Sequence, residues 1–383
     1  MMRVCFVAAC PGTDMRGGPR SLLETIDALG KQGVECFVLL PAHGRLSDEL
    51  SRRGIPTCVI PYKRWIEGGE YPWRQRWHKL KQDFRIALQI AAQIEEWQCD
   101  IVYTNTLAIG VGAFAAFWLR KPHVWHIREF VYEDHGQVFV FGRNFTLRLV
   151  NFLSQACIVN SKAVAQKYEQ WIAPAKLRVV YQAVNVTPGD ATLIFPATHF
   201  RCIIVGALTA GKRQEDAIRA IAELVRTGVK VELLIVGDGD PQYREYLAEI
   251  VTKNQIEPYV KFYGYADNPF PLMQSADVVL VCSKCEAFGR VTVEGMRAGK
   301  PIIGTRSGGT QELIRDGFNG LLYTAGDERE LAQKIRYICD RPDLAQRMGE
   351  NGKQWAAEQF NQARYGKEIY LLLRQVCGKN LES

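Results

Sequence analysis

Two glutamates, one lysine and a set of glycines carry the chemistry open to this chain. Glu286 lies in the polar stretch from Ser283 to Arg290, and Glu294 in the first turn of the short helical pattern Val291 to Ala298. A carboxylate accepts two hydroxyl donors at once, and sugars are rich in hydroxyls. Lys212 closes the glycine-bearing stretch Gly206-Ala-Leu-Thr-Ala-Gly-Lys-Arg213, just before an amphipathic pattern from Glu215 to Val225. A lysine beside the free amides of a helix start is, in mechanism, a phosphate site. Gly237, Asp238 and Gly239 form a turn at the end of another apolar run, and Gly289 and the Gly308–Gly309 pair let a ligand come close to the backbone. The combination suits a phosphorylated sugar. Taken singly, each residue has a plainer reading: Glu294 as a cap on the positive helix end, Glu286 as a loop carboxylate in water, Lys212 as a solvated lysine.

What positions these residues is a repeated pattern. From Asp277 to Leu322 the chain reads as apolar run, polar loop, short helix, apolar run (Pro301 to Thr305), glycine loop and short helix (Thr310 to Arg315). That alternation is the mark of a parallel sheet with covering helices. Ligands of such sheets sit beyond the carboxyl ends of the strands, where Glu286 and Glu294 fall. The same grammar opens the chain, with a strand at Arg3–Ala9, a glycine loop from Pro11 to Pro19 holding Gly17 and Gly18, a helix at Arg20–Lys31 and a strand at Val34–Leu40. Further on, the strand His123–Ile127 delivers Arg128 and Glu129 to its end, and alternation puts His126 and Arg128 on one face. His126 could hydrogen-bond a sugar or acceptor, Arg128 could clamp an anionic acceptor, and a satisfied core histidine is the plainer reading of His126.

The segment Glu286-Ala-Phe-Gly-Arg-Val-Thr-Val-Glu294, with Gly-Met-Arg-Ala-Gly-Lys-Pro301 and Gly308-Gly-Thr-Gln-Glu312 after it, resembles the donor-site signature of glycosyltransferase family 4. The resemblance covers almost the whole chain. It implies an α/β protein of the GT-B fold, two Rossmann-like doubly wound domains facing across a cleft. It implies a retaining transferase that moves a sugar from a nucleotide-sugar donor, UDP- or GDP-linked, to a saccharide, lipid-linked or small-molecule acceptor in glycan, polysaccharide or glycolipid assembly. By this resemblance Glu286, with Phe288, Gly289, Arg290 and Val291, grips the donor sugar. Glu294 holds the ribose, and Lys212 holds the diphosphate. Gly206, Gly237, Asp238 and Gly239 lie beside the nucleotide, and Gly17 and Gly18 reach toward donor and acceptor. The arginine that usually accompanies the lysine is replaced by Ala207, and Arg213 is the candidate to supply its charge. Either His126 or Arg128 fills the place beside the reacting sugar, which makes His126, Arg128, Lys212 and Glu286 the catalytic candidates.

Length and composition agree with this reading. A chain of 383 residues suggests two domains: an N-terminal acceptor-binding domain (1–185), a linker at 186–199 holding Pro188-Gly189 and Pro196, a nucleotide-sugar domain (200–364), and a last helix (365–383) returning to the first domain. Eleven cysteines, several of them inside apolar runs, fit reduced, buried thiols in a cytoplasmic protein. Cys282-Ser-Lys-Cys285 stands without a second pair or a histidine cluster, so no metal is expected, and no cofactor besides the nucleotide-sugar substrate. No apolar run is long enough to span a membrane. Residues 1–190 carry 23 Lys+Arg against 17 Asp+Glu and the rest 25 against 24, so the N-terminal half holds +6 of the formal +7. That charge suits an anionic acceptor or membrane surface, but no basic run is dense enough for nucleic acid. Tyr62 to Arg85 interleaves Trp65, Tyr71, Trp73 and Trp77 with seven Lys and Arg residues. It reads as a peripheral membrane contact, a flap over an anionic acceptor, or a solvated loop and helix start with packed aromatics. Two other classes of function remain at this point. One is a nucleotide-sugar-binding protein with weak or no turnover, favoured by Ala207; the other is an epimerase or phosphorylase on the same fold, disfavoured by the glutamate pair and the absence of a cofactor-lysine motif.

Overall fold

The computed structural model describes residues 1–9, 15, 17–69, 72–189 and 198–378. It divides into two compact units, Val184–Asn361 forming one and the remainder the other. Most of the expected linker, 190–197, and most of the expected first loop, 10–14 and 16, lie outside the described residues.

The first unit is built on a sheet of seven parallel strands. In chain order its strands are β1 (Met2–Val7), β2 (Val34–Leu40), β3 (Thr57–Val59), β5 (Ile101–Thr104), β6 (His123–Ile127), β8 (Ala156–Val159) and β9 (Leu177–Val179), while β4 (Ile66–Glu67) and β7 (Val138–Phe139) make a separate antiparallel pair. Across the sheet the order is β3-β2-β1-β5-β6-β8-β9. Its helices are α1 (Gly17–Gly30), α2 (Arg45–Arg52), α3 (Trp73–Glu96), α4 (Val111–Trp118), α5 (Tyr132–His135), α6 (Arg143–Leu153), α7 (Lys162–Tyr168) and, from the far end of the chain, α15 (Gln362–Val376). Strands such as Ile101-Val-Tyr-Thr104 are buried throughout because both faces are covered. Val4, Phe6, Tyr103 and Ile158 pack toward α1 and α15. Cys5, Val7 and Val102 pack toward α3 and α4. The last helix sits hard against α1: a Cβ at Gly366 would lie 2.6 Å from the carbonyl oxygen of Ala28, and Tyr365 and Thr25 share a hydroxyl–hydroxyl hydrogen bond of 2.8 Å.

The second unit has six parallel strands in the order β12-β11-β10-β13-β14-β15. These are β10 (Phe200–Val205), β11 (Val231–Val236), β12 (Val260–Gly264), β13 (Val278–Val281), β14 (Ile302–Thr305) and β15 (Gly320–Tyr323). Its helices are α8 (Gln214–Arg226), α9 (Pro241–Lys253), α10 (Phe270–Ser275), α11 (Arg290–Arg297), α12 (Thr310–Leu313), α13 (Glu328–Cys339) and α14 (Pro342–Gln359). In both sheets the chain builds outward on one side, then returns to the middle and builds outward on the other. That reversal creates a switch point, between β1 and β5 in one unit and between β10 and β13 in the other, where a parallel sheet opens a crevice at its carboxyl edge.

Three expectations shift. Helix α1 begins at Gly17, so Gly17 and Gly18 are its exposed first residues rather than part of a loop. The sequence pattern predicts a helix over Phe84 to Trp97, but the helix begins at Trp73, straight after Pro72, whose fixed φ and missing amide suit a helix entry. Residues 130–145 read in the sequence as an aromatic loop without periodicity, and they hold α5, β7 and the start of α6.

Candidate nucleotide-sugar site

The second unit places its switch-point loops against one another. The loop after β10 and the loop after β11 are joined by Leu208 N–H donating to Asp238 O at 2.9 Å and Asp240 N–H donating to Leu208 O at 3.0 Å. This closeness depends on Gly237, whose φ is +143° and where a Cβ would lie 1.9 Å from the carbonyl oxygen of Gly206. Gly239 stacks in the same way under the backbone of Leu208. The loop after β13 closes the third side, with Lys284 N–H donating to Gly211 O at 2.8 Å.

Into this frame come Lys212 and Glu286. The Lys212 stem runs past Gly206, where even a Cβ would meet it only at an ordinary contact distance of 3.8 Å, and its Nζ donates to Glu286 Oε1 at 2.5 Å. Ser283 Oγ donates to the same carboxylate oxygen at 2.6 Å, and Thr305 Oγ1 on β14 donates to Ser283 O at 2.7 Å. The carboxylate is therefore aimed from two sides. Its backbone is held as well: Gly309 N–H donates to Glu286 O at 2.6 Å, and at Gly308, with φ +50°, a Cβ would fall 2.4 Å from that oxygen. Ser283 escaped the sequence reading. Its signal was its place as the second residue after β13, at the strand's carboxyl end.

Helix α11 starts at Arg290 behind the left-handed Gly289. Glu294 consequently lies in the second turn rather than the first, is 8% exposed, and faces Arg290 Nη2 at 3.7 Å. Val291 is half-buried at the start of α11. Phe288 is only 3% exposed, and its ring packs edge-on against Phe360 at 5.7 Å between centroids, so it braces the loop from inside.

Arg213, the candidate to supply the charge of the missing arginine, is paired with an acid of its own helix. It takes a left-handed backbone conformation at the N-cap of α8 and forms a two-pronged pair with the buried Asp216, at 2.9 and 2.8 Å. That bond lifts its guanidinium further above its ordinary range, against the opposing pull of burial. Asp216 also accepts from Gly326 N–H at 2.9 Å, so the pair ties α8 to the turn after β15. At Ala207, the carbonyl oxygen accepts from Gln214 Nε2 at 3.0 Å.

His126 and Arg128 belong to the first unit. His126 is fully buried, and its Nδ1 shares a hydrogen bond of 2.7 Å with Tyr103 Oη. Burial, with the Arg128 charge adding to it, holds the imidazole well below its ordinary range and neutral. Of the two candidates for the place beside a reacting sugar, His126 is thus the interior one. Arg128, two residues on, is half-buried and donates through Nη2 to Asn105 O at 2.5 Å. Among the described residues, buried Nη1 of Arg128, Nε2 of His126, and the side-chain oxygens of Asn105 and Asn160 find no hydrogen-bond partner. Asn105, Arg128 and Asn160 each follow directly on β5, β6 and β8, so these unmet polar atoms gather at the carboxyl ends of three neighbouring strands. Asn105 and Asn160 were not singled out from sequence, because only the register of adjacent strands brings them to Arg128.

Two doubly wound parallel sheets, one with a lysine and a carboxylate meeting at its switch point, define an α/β protein of the GT-B type. The chain belongs to glycosyltransferase family 4: residues 15–187 match the model described as Glycosyltransferase Family 4, and residues 192–355 the one described as Glycosyl transferases group 1. It is 31% identical over 270 residues to an uncharacterized glycosyltransferase of Methanocaldococcus jannaschii, covering 69% of this chain and 72% of that protein. It is 38% identical over 149 residues, 39% of this chain and 38% of the relative, to the N-acetyl-alpha-D-glucosaminyl L-malate synthase of Bacillus anthracis. Across that enzyme and two further bacterial relatives the chain spans 38% to 64% of their lengths. Among solved structures, Anabaena HepE in complex with UDP superimposes with a TM-score of 0.80 at 25% identity, over 98% of this chain and 100% of that one.

Proposed function

We propose that this protein transfers a sugar, with retention of configuration, from a nucleotide-sugar donor to a saccharide, lipid-linked or small-molecule acceptor in glycan, polysaccharide or glycolipid assembly. The observation that carries the reading is the contact between Lys212 Nζ and Glu286 Oε1, 2.5 Å apart at the switch point of the second sheet. A uridine diphosphate donor is favoured by HepE, solved with UDP and with UDP-glucose.

In this reading Lys212 leaves Glu286 for the donor diphosphate and stabilises the charge that grows on it as the glycosidic bond breaks. Glu286, freed of its cation and still aimed by Ser283, accepts hydroxyls of the donor sugar. Glu294 takes the ribose hydroxyls. Lys212 does the work a metal cation would do, so turnover is expected to survive chelation. Retention is ascribed to same-face attack by the acceptor. In the first unit Arg128, Asn105 and Asn160 offer the polar groups an acceptor would meet, while His126 lies behind them, bonded to Tyr103 Oη. The setting is cytoplasmic, with a peripheral membrane contact through the basic aromatic region. Among the described residues no helix is long and apolar enough to cross a membrane.

One observation favours a second reading, a nucleotide-sugar-binding protein without turnover. Ala207 stands where the family carries arginine, and Arg213 is tied to Asp216. Incubation with a panel of nucleotide sugars, following nucleotide release with and without saccharide and lipid acceptors, separates the two. Acceptor-dependent release supports transfer. Donor recovered intact after tight binding supports the second reading and refutes the first.

A further inference from the structure

The basic aromatic stretch divides when it folds. Trp65 goes to the core, with its indole N–H donating to Leu107 O at 2.6 Å and its ring stacked on Trp125 at 5.7 Å. Tyr62 is buried with its hydroxyl on Ala8 O at 2.7 Å. Lys79 is buried too, paired with Asp83 and donating to Lys63 O at 3.2 Å. These residues fasten the stretch to the domain and offer nothing to a partner.

The remainder points outward and meets residues from elsewhere. Trp73, Trp77 and Phe84 lie at i, i+4 and i+11 on one stripe of α3. The ring of Phe84 packs edge-on against Trp118 of α4 at 5.9 Å, and Phe117 packs on Phe152 of α6 at 5.8 Å. All six are between 44% and 68% exposed, although each is large and apolar. They form one aromatic band over three helices, of a kind that soluble surfaces rarely leave uncovered.

Charge says what covers it. Arg74, Lys81 and Arg85, all exposed, run beside the stripe on α3, and Arg148 is exposed on α6. Between Trp73 and Ile94 the one acid is Asp83, neutralised inside by Lys79. Neither α4 nor α6 carries an acid. A second protein would have to match a wide aromatic band within a fringe that is basic except for the exposed Glu95 and Glu96 in the last turn of α3. A bilayer with anionic headgroups offers both halves at once, because tryptophan and phenylalanine settle at the headgroup level while arginine and lysine hold phosphates.

We infer that the exposed band of α3, α4 and α6 seats this protein on an anionic membrane surface, with α3 lying along the plane of the headgroups. The inference deepens the peripheral contact proposed above and does not depend on sugar transfer. It also changes the residues: Phe117, Trp118 and Phe152 belong to the surface, and Trp65 and Lys79 do not.

The test is flotation of the full chain, without nucleotide sugar, with vesicles of phosphatidylcholine alone or mixed equally with phosphatidylglycerol. The expected result is binding to the mixed vesicles only, a blue shift of tryptophan emission, and loss of binding at high salt. Trp73→Ser/Trp77→Ser and Phe117→Ser/Trp118→Ser should each weaken binding at least tenfold. Arg74→Gln/Lys81→Gln/Arg85→Gln should weaken it by about fivefold for each charge removed. Unchanged circular dichroism and uridine diphosphate affinity would show that the variants are folded. Binding that ignores lipid charge, binding that survives both aromatic pairs of substitutions, or self-association through the band without vesicle binding would each overturn the inference. Because the assay contains no donor, its failure leaves the transfer reading standing, and loss of transfer leaves this inference standing.

Discussion

Replacing Lys212 with methionine removes one charge and keeps most of the stem that lies along Gly206. The structure separates its effect on stability from its effect on chemistry. The Lys212–Glu286 pair has side chains 34% and 17% exposed, so the lysine end is well screened by water. Pairs of that kind contribute about 0–1 kcal/mol. Ser283 also remains to hold the carboxylate at 2.6 Å. The melting temperature of Lys212→Met should therefore fall by no more than about 2–4 °C for a unit of this size. Turnover is a different matter. If Lys212 meets charge that develops only as the diphosphate leaves, its loss should lower kcat by about 10²–10³-fold, some 3–4 kcal/mol of transition-state stabilisation. Calorimetry and initial rates of nucleotide release on the same sample give both numbers. Parental turnover in a stable Lys212→Met would refute the leaving-group role. A melting point far below the expected range would show that the lysine holds the loops together, and the loss of rate would then carry no mechanistic meaning.

Arg213→Ala should behave in the opposite way, since it leaves the buried Asp216 without its guanidinium: a loss on the order of 3 kcal/mol in chemical denaturation, with uridine diphosphate affinity retained by calorimetric titration. Gly237→Ala forces a Cβ to within 1.9 Å of Gly206 O at φ +143°; the backbone region alone costs about 1–3 kcal/mol, and donor binding should fall with stability in a titration and a melt. Stability should also drop in mild acid. Burial takes His123 down to about 3 and lowers His126 as well, so below about pH 6.5 the unfolded chain takes up protons that the native one refuses, at a slope of about 1.4 kcal/mol per pH unit for each histidine. Urea midpoints at falling pH measure this slope, and His123→Gln should remove about half of it.

What could be read from the chain, and what could not, follows from where each residue finds its neighbours. Lys212 and Glu286 were legible because each sits in the loop that follows a strand of a regular alternation, and the doubly wound order fixes which strand ends adjoin. Arg213 stands next to Lys212 in the chain, yet a left-handed backbone at that one position turns it toward Asp216. Neither periodicity nor motif encodes such a turn. Asn105, Arg128 and Asn160 come from three strands, and only register unites them. The aromatic band was half visible, since composition marked Trp73 and Trp77 but also marked Trp65 and Lys79, which are interior. Composition counts side chains, whereas a surface is decided by helix phase, and the phase of α3 could be read only once the helix was known to begin at Trp73 rather than Phe84. That same phase sends Ile86, Ile90 and Ile94 into the core and leaves Trp73, Trp77 and Phe84 outside. One helix thus presents two apolar faces, one packed in the core and the other left exposed.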